Sequence, residues 1–412
     1  MGRPDGGGVL GTLKRRYVAA ALIVFNTVLI LTLVNLLLWP VLALSPRPER
    51  VDHNPAQFPP ERLALVYGDL PPDVAAGTLQ ETWTLLRLEA RPWVHYGEAA
   101  FRGRFVNVSA EGVRTNARPG APAAASGGAP FRIFLFGGST MWGYGVPDWE
   151  TIPAHLERIL RERHPGRAIE VQNYGRGFYY STQESALFQS LLRRGNKPDA
   201  AVFLDGLNEF SAAYGSGEEL RRDEPIRMER LRDMWRMDEA GAPVDRRLLP
   251  RWLPMVQLAG RLRDGMRQRQ REPAVAAPSI DAAIPEEELR EEATWIESLY
   301  LLNKRVIELV ADEAGVTPYF FWQPVPQFAG DPSQQVFPHR YSWRADTVLR
   351  MVYDDVAAGR LAADSKAGSP ALVDLSRLLV DYDRPPFVDA HHYTPAVCRL
   401  IAAKIADRIE VR

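Results

Sequence analysis

From Phe131 onward the chain alternates between short apolar runs and amphipathic helical stretches, and this alternation limits the fold more than any other feature. The apolar runs have the length of strands and cover residues 131–136, 168–172, 200–204, 319–322 and 371–375. Between them, apolar side chains recur at helical spacing at 152–160, 186–191, 299–310 and 397–409. Strands that are apolar on both faces are typical of parallel sheets covered by helices on both sides. We therefore predict an α/β fold built on a parallel sheet.

The N-terminal segment predicts a membrane span. Residues 18–44 form a stretch of 27 residues without a charged side chain, whereas about 20 apolar residues are enough to cross a bilayer as a helix. Lys14, Arg15 and Arg16 directly precede this stretch. By the positive-inside rule, residues 1–16 form a cytoplasmic tail, residues 17–45 form the transmembrane anchor, and the rest lies on the extracytoplasmic, periplasmic side. The alternative is a cleaved signal peptide, which the length of the apolar core disfavours.

Composition divides the rest of the chain into a linking region and a main domain. Residues 46–130 are interpreted as a tether and lead-in region, with proline-rich sequence at 46–60 and a flexible Ala/Gly/Pro/Ser loop at 119–130. The main domain covers 131–412 and contains a charged insertion at about 215–293. Such an insertion is usually a solvated helical face. Its apolar patch at 249–262 leaves a second interpretation open, a lid or a membrane-proximal helix.

Charge and cysteine content exclude several classes of function. The formal net charge is −1, so no global positive field supports nucleic acid binding. A single cysteine, Cys398, rules out an intramolecular disulfide and a cysteine-rich zinc site. Cys398 shares helical spacing with Val397 and Ile401, which predicts a buried core position for it.

Ser139 is the candidate nucleophile. It follows the predicted strand 131–136 and the glycines Gly137 and Gly138, and a turn into a helix comes next. Ligands of open α/β sheets bind at the carboxyl ends of strands, and glycines permit the tight backbone path there. An ordinary serine in a glycine-rich turn is the alternative. No lysine follows in the pattern of a phosphate-binding loop, so nucleotide binding is disfavoured.

A serine hydroxyl needs a base in contact with it and a carboxylate that orients the base. Asp389 and His392 stand three residues apart, just before the final helix, and meet this requirement. His391 is the rival base, but the three-residue offset lets the carboxylate reach the imidazole more easily. The other interpretation is a helix-capping aspartate beside two surface histidines.

The oxyanion of a tetrahedral intermediate requires preorganised hydrogen-bond donors. We predict three of them: the backbone N–H of Ser139, a backbone N–H from the loop 175–178 for which Gly177 is the candidate, and the side-chain amide of Asn208. Asn208 follows the predicted strand 200–204 within four residues, so it projects from the same edge of the sheet as Ser139. An ordinary turn role is the alternative for Asn208, because Gly206 and Asn208 both favour turns.

The four blocks, in this order, resemble the SGNH hydrolases, also called GDSL-type lipases and esterases. The blocks are Gly137-Gly138-Ser139-Thr140, Asn173-Tyr174-Gly175-Arg176-Gly177, Asp205-Gly206-Leu207-Asn208-Glu209 and Asp389-Ala390-His391-His392. The resemblance implies a three-layer, flavodoxin-like fold, with Ser139 as nucleophile and oxyanion donor, Asn208 as oxyanion donor, and Asp389 and His392 as the rest of the triad. It implies no cofactor and no metal.

The chain departs from the family pattern at three positions. Gly138 replaces the aspartate that the family name implies, Phe178 stands where the second block has its oxyanion glycine, and Glu209 replaces a commoner aspartate.

These features together predict a membrane-anchored, extracytoplasmic serine esterase or acyltransferase of this type. Its substrate is expected to be an acyl ester, for example an O-acetyl group, on a carbohydrate or lipid of the cell envelope. An acyl-serine intermediate can be resolved by water or by a sugar hydroxyl, so both outcomes stay open. The alternative is a catalytically inactive protein that acts as a binding or scaffold component of an envelope assembly. The sequence does not indicate an oligomeric state.

Overall fold

The computed structural model describes residues 8–44, 60–68, 70–117, 129–210, 258, 284–329, 335–336, 343–363 and 370–411. The chain divides into two compact units, of which the first contains residues 1–51 and the second contains most of the remainder. The predicted tether at 46–60, the loop at 119–130 and the apolar patch at 249–262 lie almost entirely outside the described residues. The same holds for the charged insertion up to residue 283.

A single long helix, α1, covers Gly8–Leu44. Its segment Leu13–Pro40 is long and apolar enough to cross a membrane, and within the structure none of that segment is buried. Apolar side chains exposed along an entire helix are costly in water and favourable in lipid. The predicted span therefore coincides with a continuous helix.

The second unit is built on a five-stranded parallel sheet, as predicted. Its strands, which follow four short strands described below, are β5 (Phe131–Gly137), β6 (Ile169–Asn173), β7 (Ala200–Asp205), β8 (Thr317–Trp322) and β9 (Leu372–Asp374). They lie in the order β6-β5-β7-β8-β9, and each neighbouring pair is parallel. This is the strand order 2-1-3-4-5 of flavodoxin-like folds. The order reverses between β5 and β7, and ligands of such sheets bind at that switch point.

Helices cover both faces of the sheet and complete three layers. They are α4 (Ser139–Trp142), α5 (Ile152–Arg163), α6 (Ser181–Arg193), α7 (Glu286–Ala314), α8 (Trp343–Ala357), α9 (Arg360–Ala363) and α10 (Pro395–Ala406). On one face, Ile133 and Leu135 pack with α5 and α10. On the other face, Phe134 and Phe136 pack with α6 and α7. This alternation follows from the two-residue period of a strand, which turns successive side chains to opposite faces. Cys398 of α10 is buried in the first of these cores, as its spacing predicts.

The region before the sheet is folded from residue 60 to residue 117, apart from Asp69, which is not described, and it belongs to the same compact unit. It contains α2 (Pro60–Tyr67), α3 (Pro72–Gln80), a π-helical turn (Glu81–Leu85) and the antiparallel pairs β1–β2 (Leu88–Arg91, His95–Glu98) and β3–β4 (Phe101–Arg102, Asn107–Val108). The hydroxyl of Tyr67 donates a hydrogen bond to the Gly145 carbonyl at 2.5 Å. Residues of this region therefore contact the chain that follows the candidate nucleophile.

Helix α7 begins earlier than the sequence indicates. The predicted insertion extends to about residue 293, but Glu286–Ala314 is one continuous helix of 29 residues. Its first turn carries Glu286, Glu287 and Glu288, and negative side chains are favourable at the positive end of the helix dipole. The last charged residues of the predicted insertion therefore form the first turns of a helix that packs on the sheet.

Candidate active site

Ser139 lies at the switch point of the sheet, at the first position of α4. Strand β5 ends at Gly137, Gly138 precedes the helix in an extended conformation, and the Gly143 N–H bonds back to the Ser139 carbonyl at 2.9 Å. The helix is one turn long and ends at Gly143, whose left-handed φ of 93° suits glycine. Ser139 is 6% exposed. The serine is thus held at a strand end by a tight turn on each side.

Asp389, His392 and Ser139 form a connected hydrogen-bonded chain. His392 Nε2 lies 2.8 Å from Ser139 Oγ, and His392 Nδ1 lies 2.6 Å from Asp389 Oδ2. The other carboxylate oxygen, Oδ1, accepts the backbone N–H groups of His391 and His392 at 2.9 and 2.8 Å. The local backbone closes this arrangement, since the Val388 N–H donates to the His392 carbonyl at 2.8 Å. The structure thus brings together the three residues that the sequence singled out as a triad.

The electrostatics of Asp389 favour the charged carboxylate. Burial raises its pKa, but the charge and hydrogen bond of His392, the charge of His391 and a backbone N–H outweigh burial and bring the pKa to about 2. A carboxylate that stays ionised at neutral pH can hold the Nδ1–H tautomer of His392 and stabilise the imidazolium. His391, the rival base, lies beside His392 with ring centroids 4.3 Å apart and planes tilted by 46°, but it is His392 that contacts Ser139.

Asn208 lies on the short 3₁₀ turn Leu207–Phe210 that follows β7. Its Nδ2 donates to the Tyr179 carbonyl at 2.7 Å, and an amide nitrogen carries a second N–H besides this one. A Cβ on Gly138 would stand only 2.0 Å from Asn208 Nδ2. The side-chain amide is therefore packed against the backbone immediately before Ser139. A side chain at position 138 would therefore require the Asn208 amide to move.

The loop 174–178 approaches helix α4, which begins at Ser139, closely. A Cβ on Gly175 would stand 2.4 Å from the backbone nitrogen of Trp142, so only glycine fits. The Gly177 N–H donates to Glu98 Oε1 at 2.8 Å in a buried contact. This contact contradicts the prediction that the Gly177 N–H serves the oxyanion, because a carboxylate already accepts that hydrogen. Phe178 has φ of +61°, the left-handed conformation that a glycine would adopt more easily.

Two aromatic side chains pack against His392. The rings of Tyr144 and Trp83 have centroids 5.3 and 5.7 Å from that of His392, and they pack edge-on against each other at 5.4 Å. Aromatic enclosure excludes water from the base and strengthens its electrostatic contacts. Sequence reasoning missed both residues. Trp83 stands in a region without a clear periodic pattern, and nothing local marks it as a neighbour of a histidine 309 positions later.

Arg114 is a further residue that sequence reasoning missed. Its buried guanidinium donates to the carbonyls of Trp142, Gly143 and Val146 at 3.0, 2.6 and 2.6 Å. Its Nε also lies 2.9 Å from Asp148 Oδ1. These bonds hold the chain at the end of helix α4. A lone arginine in a loop gives no local signal of this role.

No protein-family model matches this chain, and neither does any curated protein. Among solved structures, it is similar to a protein described as a lipolytic member of the G-D-S-L family from Desulfitobacterium hafniense DCB-2, with 10% identity over 68% of this chain and 99% of that chain, at a TM-score of 0.34. It is also similar to the acetyl xylan esterase AlAXEase, with 12% identity over 68% of this chain and 100% of that one, at a TM-score of 0.35. A third structure is the lipase Lip_vut3 from goat rumen metagenome, with 9% identity over 67% and 97% of the two chains, at a TM-score of 0.37. Because these TM-scores are below 0.5, the similarities do not bear on function.

A second group of acids lies behind Asn208. Glu184, Asp205 and Glu209 are all buried, and Glu209 accepts the Ser181 N–H and hydroxyl at 2.7 and 2.9 Å. Burial raises the pKa of Glu209 to about 7. Burial, followed by the charges of the neighbouring acids, holds the pKa values of Glu184 and Asp205 well above their usual range. These carboxyls have few hydrogen-bond donors, so protonation is the cheaper way to bury them.

Among the described residues, Asp389, His391 and His392 present ligand atoms within 4.8 Å of one another, a spacing that a metal ion could use. Both ring nitrogens of His392 already contact Asp389 and Ser139. A metal ion bound at His392 would therefore have to replace one of these contacts. The hydrogen-bond geometry fits the triad better than it fits a metal centre.

Proposed function

We propose that this protein is a serine esterase or acyltransferase of the SGNH type that acts through an acyl-Ser139 intermediate. The observation that carries the proposal is the continuous contact from Asp389 Oδ2 to His392 Nδ1 and from His392 Nε2 to Ser139 Oγ, at 2.6 and 2.8 Å. A serine at its ordinary pKa is a poor nucleophile, and a contacting base with an orienting carboxylate removes that barrier. The reaction requires no metal and no cofactor.

The residues divide the steps of acyl transfer between them. Ser139 Oγ attacks the ester carbonyl carbon while its proton passes to His392 Nε2, and Asp389 stabilises the imidazolium. The tetrahedral intermediate then collapses, its C–O bond to the alcohol breaks, and His392 returns the proton to the departing oxygen. Water or an acceptor hydroxyl next attacks the acyl-Ser139 carbonyl, giving its proton to His392. The proton moves to Ser139 Oγ as the second intermediate releases the acid or the new ester.

We assign the oxyanion donors to the Ser139 N–H, the Asn208 side chain and a backbone N–H of the loop 175–178. Support for Asn208 comes from its position against Gly138. Support for the loop comes from its close packing on helix α4, where a Cβ on Gly175 would stand 2.4 Å from the backbone nitrogen of Trp142. A preorganised donor of this kind is worth about 3 to 4 kcal/mol in the transition state.

The substrate class follows from the proposed location. Helix α1 would anchor the protein in a membrane with residues 1–16 in the cytoplasm, because Lys14, Arg15 and Arg16 precede the apolar segment. The catalytic unit would then face the periplasm, where acyl esters occur on envelope carbohydrates and lipids. We propose an O-acyl group, such as O-acetyl, on one of these as the substrate.

Labelling with a fluorophosphonate probe tests the nucleophile. The full chain in detergent should be labelled, and Ser139→Ala should not. His392→Ala should lose labelling, whereas the matched control His391→Ala should keep most of it, because His392 contacts Ser139. Labelling that survives in His392→Ala and disappears in His391→Ala would move the base by one position. A folded wild-type protein that does not react would favour the inactive binding or scaffold alternative.

Product analysis separates hydrolysis from transfer. Wild-type protein loaded with an acetyl donor is chased with water alone or with a carbohydrate acceptor. Free acetate in both arms identifies a hydrolase. Acetate that decreases as acetylated carbohydrate increases identifies a transferase.

A further inference from the structure

We infer that Glu98, in the hairpin before the catalytic sheet, is a positioning residue for the oxyanion loop. This inference rests on the proposed function. Glu98 Oε1 accepts the Gly177 N–H at 2.8 Å and the Tyr144 hydroxyl at 3.1 Å. Glu98 Oε2 lies 3.7 Å from Arg176 Nε, and the side chain is fully buried. A buried carboxylate is costly unless it is bonded, so its three partners fix its position and it fixes theirs.

The hairpin of Glu98 also holds the two loop residues after Gly177. Phe178 packs against a cluster that includes Val94 and Tyr96 of the hairpin. The Tyr179 hydroxyl contacts the carbonyl oxygens of Val94, at 3.0 Å, and of Tyr96. Three consecutive loop residues are therefore fixed by one hairpin. Phe178 has φ of +61°, a conformation that costs a non-glycine residue on the order of 1–2 kcal/mol. Contacts of this kind are needed to hold it there.

These contacts continue to the proposed catalytic groups. The carbonyl of Tyr179 accepts the hydrogen bond from Asn208 Nδ2 at 2.7 Å, so the hairpin orients the oxyanion amide through Tyr179. Tyr144, whose hydroxyl bonds to Glu98, places its ring 5.3 Å from that of His392. Glu98 does not touch a reacting atom in this scheme. It acts through the loop and through Tyr144, and this makes it a positioning residue.

Glu308 provides a matched control for a buried carboxylate with cationic partners. It is 7% exposed and pairs with Lys304 and with Arg305, the latter at 3.3 Å, within helix α7. Glu98→Gln and Glu308→Gln remove the same charge from comparable depths. An equal loss of kcat in the two variants would therefore indicate a loss of general stability. A larger loss in Glu98→Gln would indicate that the loop 174–178 has moved.

The first measurement is turnover of 4-nitrophenyl acetate by the full chain in detergent. Glu98→Gln should lower kcat about 10- to 100-fold and leave KM within about 3-fold, because the donors act on the transition state more than on the substrate. Glu308→Gln should keep kcat within about 2-fold. In an Asn208→Ala background, Glu98→Gln should cost less than it does in the wild type, because the part of its effect that passes through Tyr179 and Asn208 is already lost. Equal kcat losses in both glutamine variants, or full additivity with Asn208→Ala, would overturn the inference.

Hydrogen exchange of the loop gives a second readout that does not need turnover. Peptides covering residues 174–181 should exchange faster in Glu98→Gln than in wild type or Glu308→Gln. Unchanged exchange would count against the positioning role even if the protein proved inactive, whereas an inactive wild type with the expected exchange pattern would count only against the proposed function. If Glu98→Gln does not fold, Tyr179→Phe removes the hydroxyl contact to Val94 and Tyr96, and the same loop peptides should exchange faster.

Discussion

Two groups of buried carboxyls lie near the proposed oxyanion site and differ in charge. Asp389 is buried but accepts two backbone N–H groups and faces the His392 ring, and its pKa is about 2. Glu184, Asp205 and Glu209 are equally buried but face one another, and burial raises their pKa values, to about 7 for Glu209. Burial alone therefore does not decide the state of an acid. For Asp389 the charge of His392 is the largest effect that lowers the pKa and its hydrogen bonds add to it, whereas Glu209 accepts two hydrogen bonds but lies among other buried acids.

This difference suggests a catalytic role for the first group and a structural role for the second. A carboxylate that remains charged can orient and stabilise a histidine that gains a proton. Carboxyls that hold protons can pack together behind Asn208 without mutual repulsion. We expect the first group to control rate and the second group to control stability and its pH dependence.

Among substitutions of these carboxyl groups, the largest expected effect is at Asp389. Asp389→Asn keeps the size of the side chain and an oxygen for the His391 and His392 N–H groups, but its amide cannot stabilise the imidazolium or the correct tautomer. We expect kcat for an aryl acetate to fall by about 10⁴-fold. The melting temperature should change little by comparison. A loss of less than tenfold with an intact fold would remove Asp389 from the triad.

A smaller effect is expected at Asn208. Asn208→Ala removes the amide beside Gly138 and should lower kcat about 10²- to 10³-fold with little change in KM. Asn208→Asp keeps the shape and adds a negative charge, so it should lose at least as much activity. Full activity in Asn208→Ala would assign Asn208 to the acid cluster as an ordinary turn residue.

The pH dependence of stability should differ between the two groups. Folding raises the pKa of Glu209 from 4.5 to about 7, so the native state binds this proton more tightly. The associated stability is complete below about pH 4.5 and is lost as pH rises through 7, up to about 3 kcal/mol. For Asp389, folding lowers the pKa from 3.8 to about 2, so its contribution is present above pH 3.8 and is lost as pH falls towards 2.

Urea unfolding between pH 4.5 and 8 measures the first of these contributions. Glu209→Gln cannot titrate and should flatten the fall in the free energy of unfolding over that range. Glu162→Gln, at an exposed position of α5, is the control and should follow the wild-type curve. A wild-type curve that rises between pH 5 and 7 would contradict the protonated state of the cluster.

The sequence predicted the sheet and the positions of Ser139, Asn208, Asp389 and His392 near one another because each has a local signature. The strands are continuous apolar runs, and Ser139 and Asn208 directly follow strands whose carboxyl ends must share one edge. Ser139 and His392 are 253 positions apart, yet the chemistry of a serine nucleophile requires a base, which directs attention to Asp389 and His392.

Other parts of the site have no such signature. Glu98 and Gly177 are 79 positions apart, and no chemical rule requires a carboxylate near this glycine. Nothing in the sequence therefore indicates that the Gly177 N–H is bonded, and Gly177 was predicted as an oxyanion donor. The charge state of the Glu184 cluster likewise depends on which donors surround each acid after folding. Tertiary packing determines these features, and neither periodicity nor motif spacing reports it.

The smallest expected effect concerns His391. It lies beside His392, its backbone N–H donates to Asp389 Oδ1, and its charge is one of those that lower the pKa of Asp389. His391→Ala keeps that N–H, so we expect kcat to fall less than about 5-fold, while His392→Ala loses about 10⁶-fold. A pH–rate profile measured on both proteins gives the comparison. If His391→Ala lost activity as His392→Ala does, the low pKa of Asp389 would depend on the neighbouring ring as much as on its direct partner.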